Sequence, residues 1–138
     1  MNYLAKILLL CFSLSVHSTE PAKLSDLRLL QWKNRIILVN NLQNQQAVLG
    51  LFDHNKSEIN ERDIIWFVLA GDVAHTNYQG ALSDDFIAKT RASYQLEAGK
   101  IMLIGKDGGV KFLLDRMDLE AIFTEIDAMP MRQNEMVH

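Results

Sequence analysis

The sequence predicts a small α/β sandwich with the element order β-α-β-α-β-β-α. Three observations carry that prediction. "RIILVN" (35–40) and the apolar part of "DIIWFVLAGD" (63–72) are short continuous apolar runs, the pattern of strands covered on both faces. Stretches with helical spacing or helix-capping residues separate these runs from each other and from a third, "IMLI" (101–104). Asp107-Gly108 then stands between that third run and the alternating "VKFLL", which is a hairpin signal.

The elements follow in order. "TEPAKLSDLRLLQWKN" (19–34) is a lead-in whose Leu24, Leu27, Leu30 and Trp32 are available to dock on the domain. After the first strand, Asn40 or Asn41 is a candidate helix cap, and Ala47, Val48, Leu51 and Phe52 recur at helical spacing, weakened by Gly50. Ile64 to Leu69 is the strongest strand, and "VAHTNYQGALS" (73–83) reads as a polar loop. "SDDFIAKTRASY" (83–94) reads as a helix capped by Ser83, with Asp84 and Asp85 in the first turn where the dipole favours negative charge. "MDLEAIFTEIDAMP" is an amphipathic helix: Asp118 caps it, and Leu119, Ile122, Phe123 and Ile126 form an i, i+3, i+4, i+7 stripe. It is expected to stop near Pro130, leaving 133–138 as a frayed tail.

"IGKDGGVKF" (104–112) raises the possibility of a phosphate-cradling loop. Such a loop needs a helix after the glycines, so that backbone N–H groups converge at its positive end. Here a strand pattern follows, and no G-x-x-x-x-G-K-[ST] spacing is present. The stretch is a turn, with Gly109 placed to absorb a bulge.

A chain of 138 residues holds one domain with a real core. Its 22% charged and 49% apolar residues are ordinary for a folded domain. The net charge of −3 and pI near 5.7 argue against nucleic acid as a partner. Residues 1–18 read as a secretory signal: Lys6 near the start, the apolar run "ILLLCFSLSV", then Val16 and Ser18 at the −3 and −1 positions of a cleavage site. The run is well short of the ~20 apolar residues that span a bilayer, so no stable membrane insertion is expected after cleavage. The expected location is the periplasm or the medium. Cleavage after Ser18 removes Cys11, the only cysteine, and leaves thirteen basic and seventeen acidic residues, a net of −4 over 120 residues. Disulfides, thiol nucleophiles and cysteine metal ligands go with it.

Four stretches carry a family resemblance: "LSDLRLLQWKNRIILV" (24–39), "ERDI" (61–64), "LIGKDGGVK" (103–111) and "IDAMPMR" (126–132). Together they resemble a bacterial domain family of unknown function, with relatives in vertebrate extracellular-matrix proteins that carry sushi repeats or coiled-coil segments. The resemblance spans residues 24–132, so residues 19–23 form a short N-terminal segment. It implies a thioredoxin-like three-layer sandwich and no established activity. The redox hallmarks of thioredoxins are missing: "NNLQNQQ" (40–46) stands where C-x-x-C would, and "EAGKIML" puts Gly99 or a neighbour in place of the cis-proline.

Other chemistry is sparse. His54, His75 and His138 lack metal-ligand spacing. Asp53 beside His54 reads as a solvated pair, and no G-x-S-x-G elbow exists. Met129 and Met131 flank Pro130 without a third soft ligand. No catalytic residue, metal ligand or cofactor is therefore assigned. In an open α/β sheet, ligands favour the carboxyl ends of parallel strands. That edge would gather Asn40, Asn41, Gln43, Asp72 and Lys100 as a candidate ligand or partner surface, unless these residues serve as caps and solvated groups. The expected function is redox-inactive binding of a protein or peptide partner in the envelope, with an exposed aromatic patch around Trp32 or Tyr78 beside the polar edge. The alternatives are a periplasmic small-molecule binding protein or a thiol-independent enzyme using the same edge.

Overall fold

The computed structural model of the protein describes residues 22–137. The reading of residues 1–18 as an export signal lies outside them. A 3-10 helix (Leu27–Leu30) leads into β1 (Arg35–Asn40), followed by α1 (Gln45–His54), α2 (Lys56–Glu61), β2 (Ile64–Ala70) and β3 (Val73–Thr76). Then come α3 (Phe86–Tyr94), β4 (Ile101–Ile104), β5 (Val110–Leu114), α4 (Leu119–Asp127) and α5 (Pro130–Val137). The strands form one sheet in the order β3-β2-β1-β4-β5. β1 and β2 are parallel, whereas β4 runs antiparallel to β1, and β3 and β5 close hairpins at the two edges.

Period-two alternation sorts the three inner strands onto two cores. Ile37, Val39, Ile64, Val68, Ile101 and Leu103 face α1, α2 and α4, where Val48, Phe52, Ile59, Leu119, Ile122 and Ile126 meet them. Ile36, Leu38, Phe67, Leu69, Met102 and Ile104 face the other way, onto Leu24, Leu27, Leu30 and Phe86. Helices on both faces of this mixed sheet give an α/β fold compatible with a thioredoxin-like sandwich. Among the described residues there is no cis peptide, and Gly99 stands at φ +79° before β4. None of the described helices is long and apolar enough to cross a membrane.

The hairpin expected at "KDGG" is present. Gly108 N–H donates to the Gly105 carbonyl at 3.0 Å, and Gly108 sits at φ +83°, a conformation glycine adopts without penalty. The bulge falls two residues beyond Gly109: Ile104 pairs with Val110 and Leu103 with Phe112, leaving Lys111 as the extra residue. Asp118 caps α4 as expected, its carboxylate accepting from Ala121 N–H at 3.0 Å, a bond worth about 1 kcal/mol.

Four expectations need correction. Residues 73–76 are a strand, joined to β2 through the two-residue turn Gly71-Asp72. Asn77 prolongs that pairing with its side chain, which accepts from Trp66 N–H and donates to the Ile64 carbonyl. Asn44, not Asn40 or Asn41, occupies the cap position of α1, and Asp85, bonded by the Ser83 hydroxyl, that of α3. The segment after Pro130 is α5. Proline ends α4 as expected but opens the next helix, because at a first helical position its missing N–H is not needed.

Candidate functional site

The carboxyl ends of β1 and β2 do bring Asn40 and Asn41 together, but their side chains are spent inside the molecule. Asn40 is 2% exposed, donates to the Leu96 carbonyl at 3.0 Å and accepts from Arg91 Nε at 2.9 Å. Asn41 accepts from Gly71 N–H at 2.9 Å and from Arg91 Nη2 at 3.3 Å, while Arg91 also donates to the Gly71 carbonyl. Arg91, on α3, thus ties this end of the sheet shut. Lys100 is paired with Asp115. Gln43 and Asp72 stand exposed.

The opposite end of the sheet, where β1 and β2 begin, is more heavily built. Arg62 grips Asp127 with two parallel bonds of 3.0 and 2.9 Å, reaches Glu58 at 2.9 Å, and lies 4.3 Å above the Phe123 ring. Arg132 bonds the same Asp127 at 3.2 Å and Glu61 at 2.9 Å. Arg35, 1% exposed, donates to Glu135 at 3.1 and 3.3 Å and to the Arg62 carbonyl at 3.0 Å, leaving its Nε without a partner among the described residues. Lys106, in the β4–β5 turn, completes the network by bonding Glu135 and Asp63. Arg62 and, after it, Arg132 hold the Asp127 carboxyl below the ordinary carboxylate range. Burial pushes Glu135 up, but the bonds from Lys106 and Arg35 outweigh it and hold Glu135 below its ordinary value. Arg35, Arg62, Lys106, Asp127 and Arg132 all belong to the stretches on which the family resemblance rests. They meet here as a clamp that fastens α5 to the sheet.

On the other face of the same end lies an open cleft of about 510 Å³ between the 3-10 helix, α3 and the β4–β5 turn. The 3-10 helix has three residues per turn, so its side chains fall in rows. Leu27 and Leu30 are buried, Arg28 and Gln31 line the cleft, and Leu29 is exposed. Asp26, Lys89, Thr90, Ser93, Tyr94 and Asp107 supply the other polar groups. Asp26 accepts from the Arg28 side chain at 2.7 and 3.1 Å and from its N–H at 2.9 Å, which brings its carboxyl down to about 2. Burial raises the Tyr94 phenol, with Asp26 adding to the effect. The cleft offers hydroxyls and a fixed carboxylate, but no base poised against a nucleophile.

Trp32 follows the cleft residue Gln31 in the chain. Gln31 (φ −56°, ψ 139°) and Trp32 (φ +68°) are the central residues of a turn closed by Lys33 N–H to the Leu30 carbonyl at 3.0 Å. These are the angles of a type II turn, whose third residue is ordinarily glycine. A tryptophan there is a backbone outlier, and its side chain remains 64% exposed. The expected docking of this lead-in is therefore accomplished by Leu24, Leu27 and Leu30, without Trp32. Trp32 also lies at the far end of β1 from the Asn40–Asn41 edge, and Tyr78 is half-buried against the core.

Residues 26–135 match the domain of unknown function DUF4174. The chain belongs to that family. No curated protein and no solved structure matches it.

In this DUF4174 domain, sequence reasoning missed the two arginines that organise the ends, Arg91 and Arg35. It also missed the cleft residues of α3, Lys89, Thr90, Ser93 and Tyr94. The signal available for α3 was its polar helical stretch, "FIAKTRASY", in which only Phe86 and Thr90 are buried. A helix with so thin an apolar stripe leaves much of its surface for other contacts.

Proposed function

We propose that this protein is an exported, non-catalytic and redox-inactive domain that binds a protein or peptide partner at the end formed by the 3-10 helix, α3 and the β4–β5 turn. The observation that carries this reading is Trp32: a large aromatic held in a conformation that favours glycine, exposed, and adjacent in sequence to the cleft residue Gln31. Strain of this kind persists where it serves a function, and exposed tryptophans are frequent anchors in interfaces. Leu29, also exposed, adds apolar area beside it. The absence of cysteine after residue 11 supports the redox-inactive part of the proposal.

Export rests on residues 1–18, and N-terminal sequencing of the mature protein is expected to begin at Thr19; a product that still begins at Met1 would remove this part. For the binding end, a photo-crosslinking amino acid is placed at Leu29 in one variant and at Gln43 in another, and each is irradiated in envelope extract. A discrete adduct from position 29 and none from 43 is expected. The reverse pattern would move the site to the carboxyl ends of the strands. A second reading, a small polar ligand, is favoured by the Thr90, Ser93 and Tyr94 hydroxyls lining the cleft.

A further inference from the structure

The outer edge of β5 ends the sheet, and no described strand pairs with it. Asn40 N–H bonds the Lys100 carbonyl, so the backbone of Asn40 faces β4, and alternation carries the same orientation back to Leu38. Its partner Met102 then faces β1, which leaves Ile101 and Leu103 facing β5. Their partners Leu114 and Phe112 face back, and Leu113 between them turns its N–H and C=O outward. The Leu113 side chain lies on the same face as its cross-strand partner Met102, yet it is 55% exposed, beyond the cover of α3. An apolar side chain and an unpaired backbone at one position make a template for strand addition.

We propose that β5 pairs antiparallel with β5 of a second copy of this chain, about a two-fold axis at Leu113. In that register Leu113 meets Leu113, and Lys111 of each copy stands opposite Asp115 of the other. The sequence around Leu113 is thus complementary to itself in charge. Moving the axis one residue toward Phe112 sets Leu113 against Lys111, and one residue toward Leu114 sets it against Asp115. Either shift opposes an apolar side chain with a charge, so the composition selects one register. Lys111 and Asp115 already have partners within the chain, Asp107 and Lys100, and both keep solvent access from which a second partner can be reached. The result would be a closed dimer with one continuous ten-stranded sheet.

So short an added ladder gives a weak dimer. Sedimentation of the purified protein should show a mass approaching twice the monomer at high micromolar concentration, falling on dilution. The outward amide of Leu113 should be protected from hydrogen exchange in the concentrated sample and exposed in the dilute one. Leu113→Lys, which alters only an exposed side chain, should give a monomer at every concentration while melting as the wild type does. Asp115→Lys should weaken association about tenfold, and Lys111→Asp added to it should restore it. A monomer at all concentrations with an unprotected Leu113 amide would overturn the proposal. So would a dimer indifferent to Leu113→Lys, which would have to use another surface.

Discussion

Replacing Glu135 with alanine is expected to destabilise the fold by about 3 kcal/mol, although the residue lies three positions from the end of the chain. Arg35 is buried at the start of β1, and Glu135 is the only carboxylate that it bonds among the described residues. Removing that carboxylate leaves a desolvated guanidinium with only the Arg62 carbonyl, and Lys106 with only Asp63. An unpartnered buried charge costs far more than an exposed ion pair contributes. For a domain of this size the melting temperature should fall by about 10 °C. Replacing both partners, Arg35→Met with Glu135→Leu, should recover most of the loss, since no charge is then stranded.

The same carboxylate sets a pH dependence whose sign is fixed. Glu135 is held below its unfolded value of about 4.3, so its contribution is complete above that pH and is lost as pH falls through the lower folded value. The stability gap between wild type and Glu135→Gln should therefore be widest near neutrality and close below about pH 4. A gap that stays constant down to pH 2, or a Glu135→Ala cost below about 1 kcal/mol, would mean that α5 is not clamped to the sheet.

The inner strands were legible in the sequence because both of their faces are covered. Every position of "RIILV" and "IMLI" is apolar or buried, and such a run has few other places to go. β3 was not legible: "VAHT" is four mixed residues at a sheet edge, paired through tertiary contact and the brief Gly71-Asp72 turn. α5 was misread as a tail for a physical reason. Its one buried residue is Arg132, so the helix carries charge where apolar periodicity is sought, and its partners Arg35 and Glu61 lie far back in the chain. The Asn40–Asn41 edge shows the converse. The hydrogen-bonding side chains were recognised, but the residue that consumes them, Arg91, is about fifty positions away and carries no local signal.

The proposed binding surface at the Trp32 end of the domain makes Trp32 a residue whose roles in folding and in function oppose each other. A non-glycine residue at φ +68° loses about 1–2 kcal/mol to steric conflict between Cβ and the backbone. Glycine removes that conflict but returns roughly 0.5–1 kcal/mol through the greater freedom of the unfolded chain. The side chain is mostly in water, so its loss forfeits little packing. Trp32→Gly is therefore expected to stabilise the fold by about 0.5–1 kcal/mol. In an interface, the same side chain is the kind of anchor whose removal costs about 2 kcal/mol, roughly thirtyfold in affinity. The decisive measurement is to melt Trp32→Gly and titrate it against the partner recovered by the Leu29 crosslink. A melting temperature raised by about 2–4 °C together with affinity reduced some thirtyfold is the predicted result. Undiminished affinity would contradict the claim, and so would a lowered melting temperature, which would make Trp32 a structural residue.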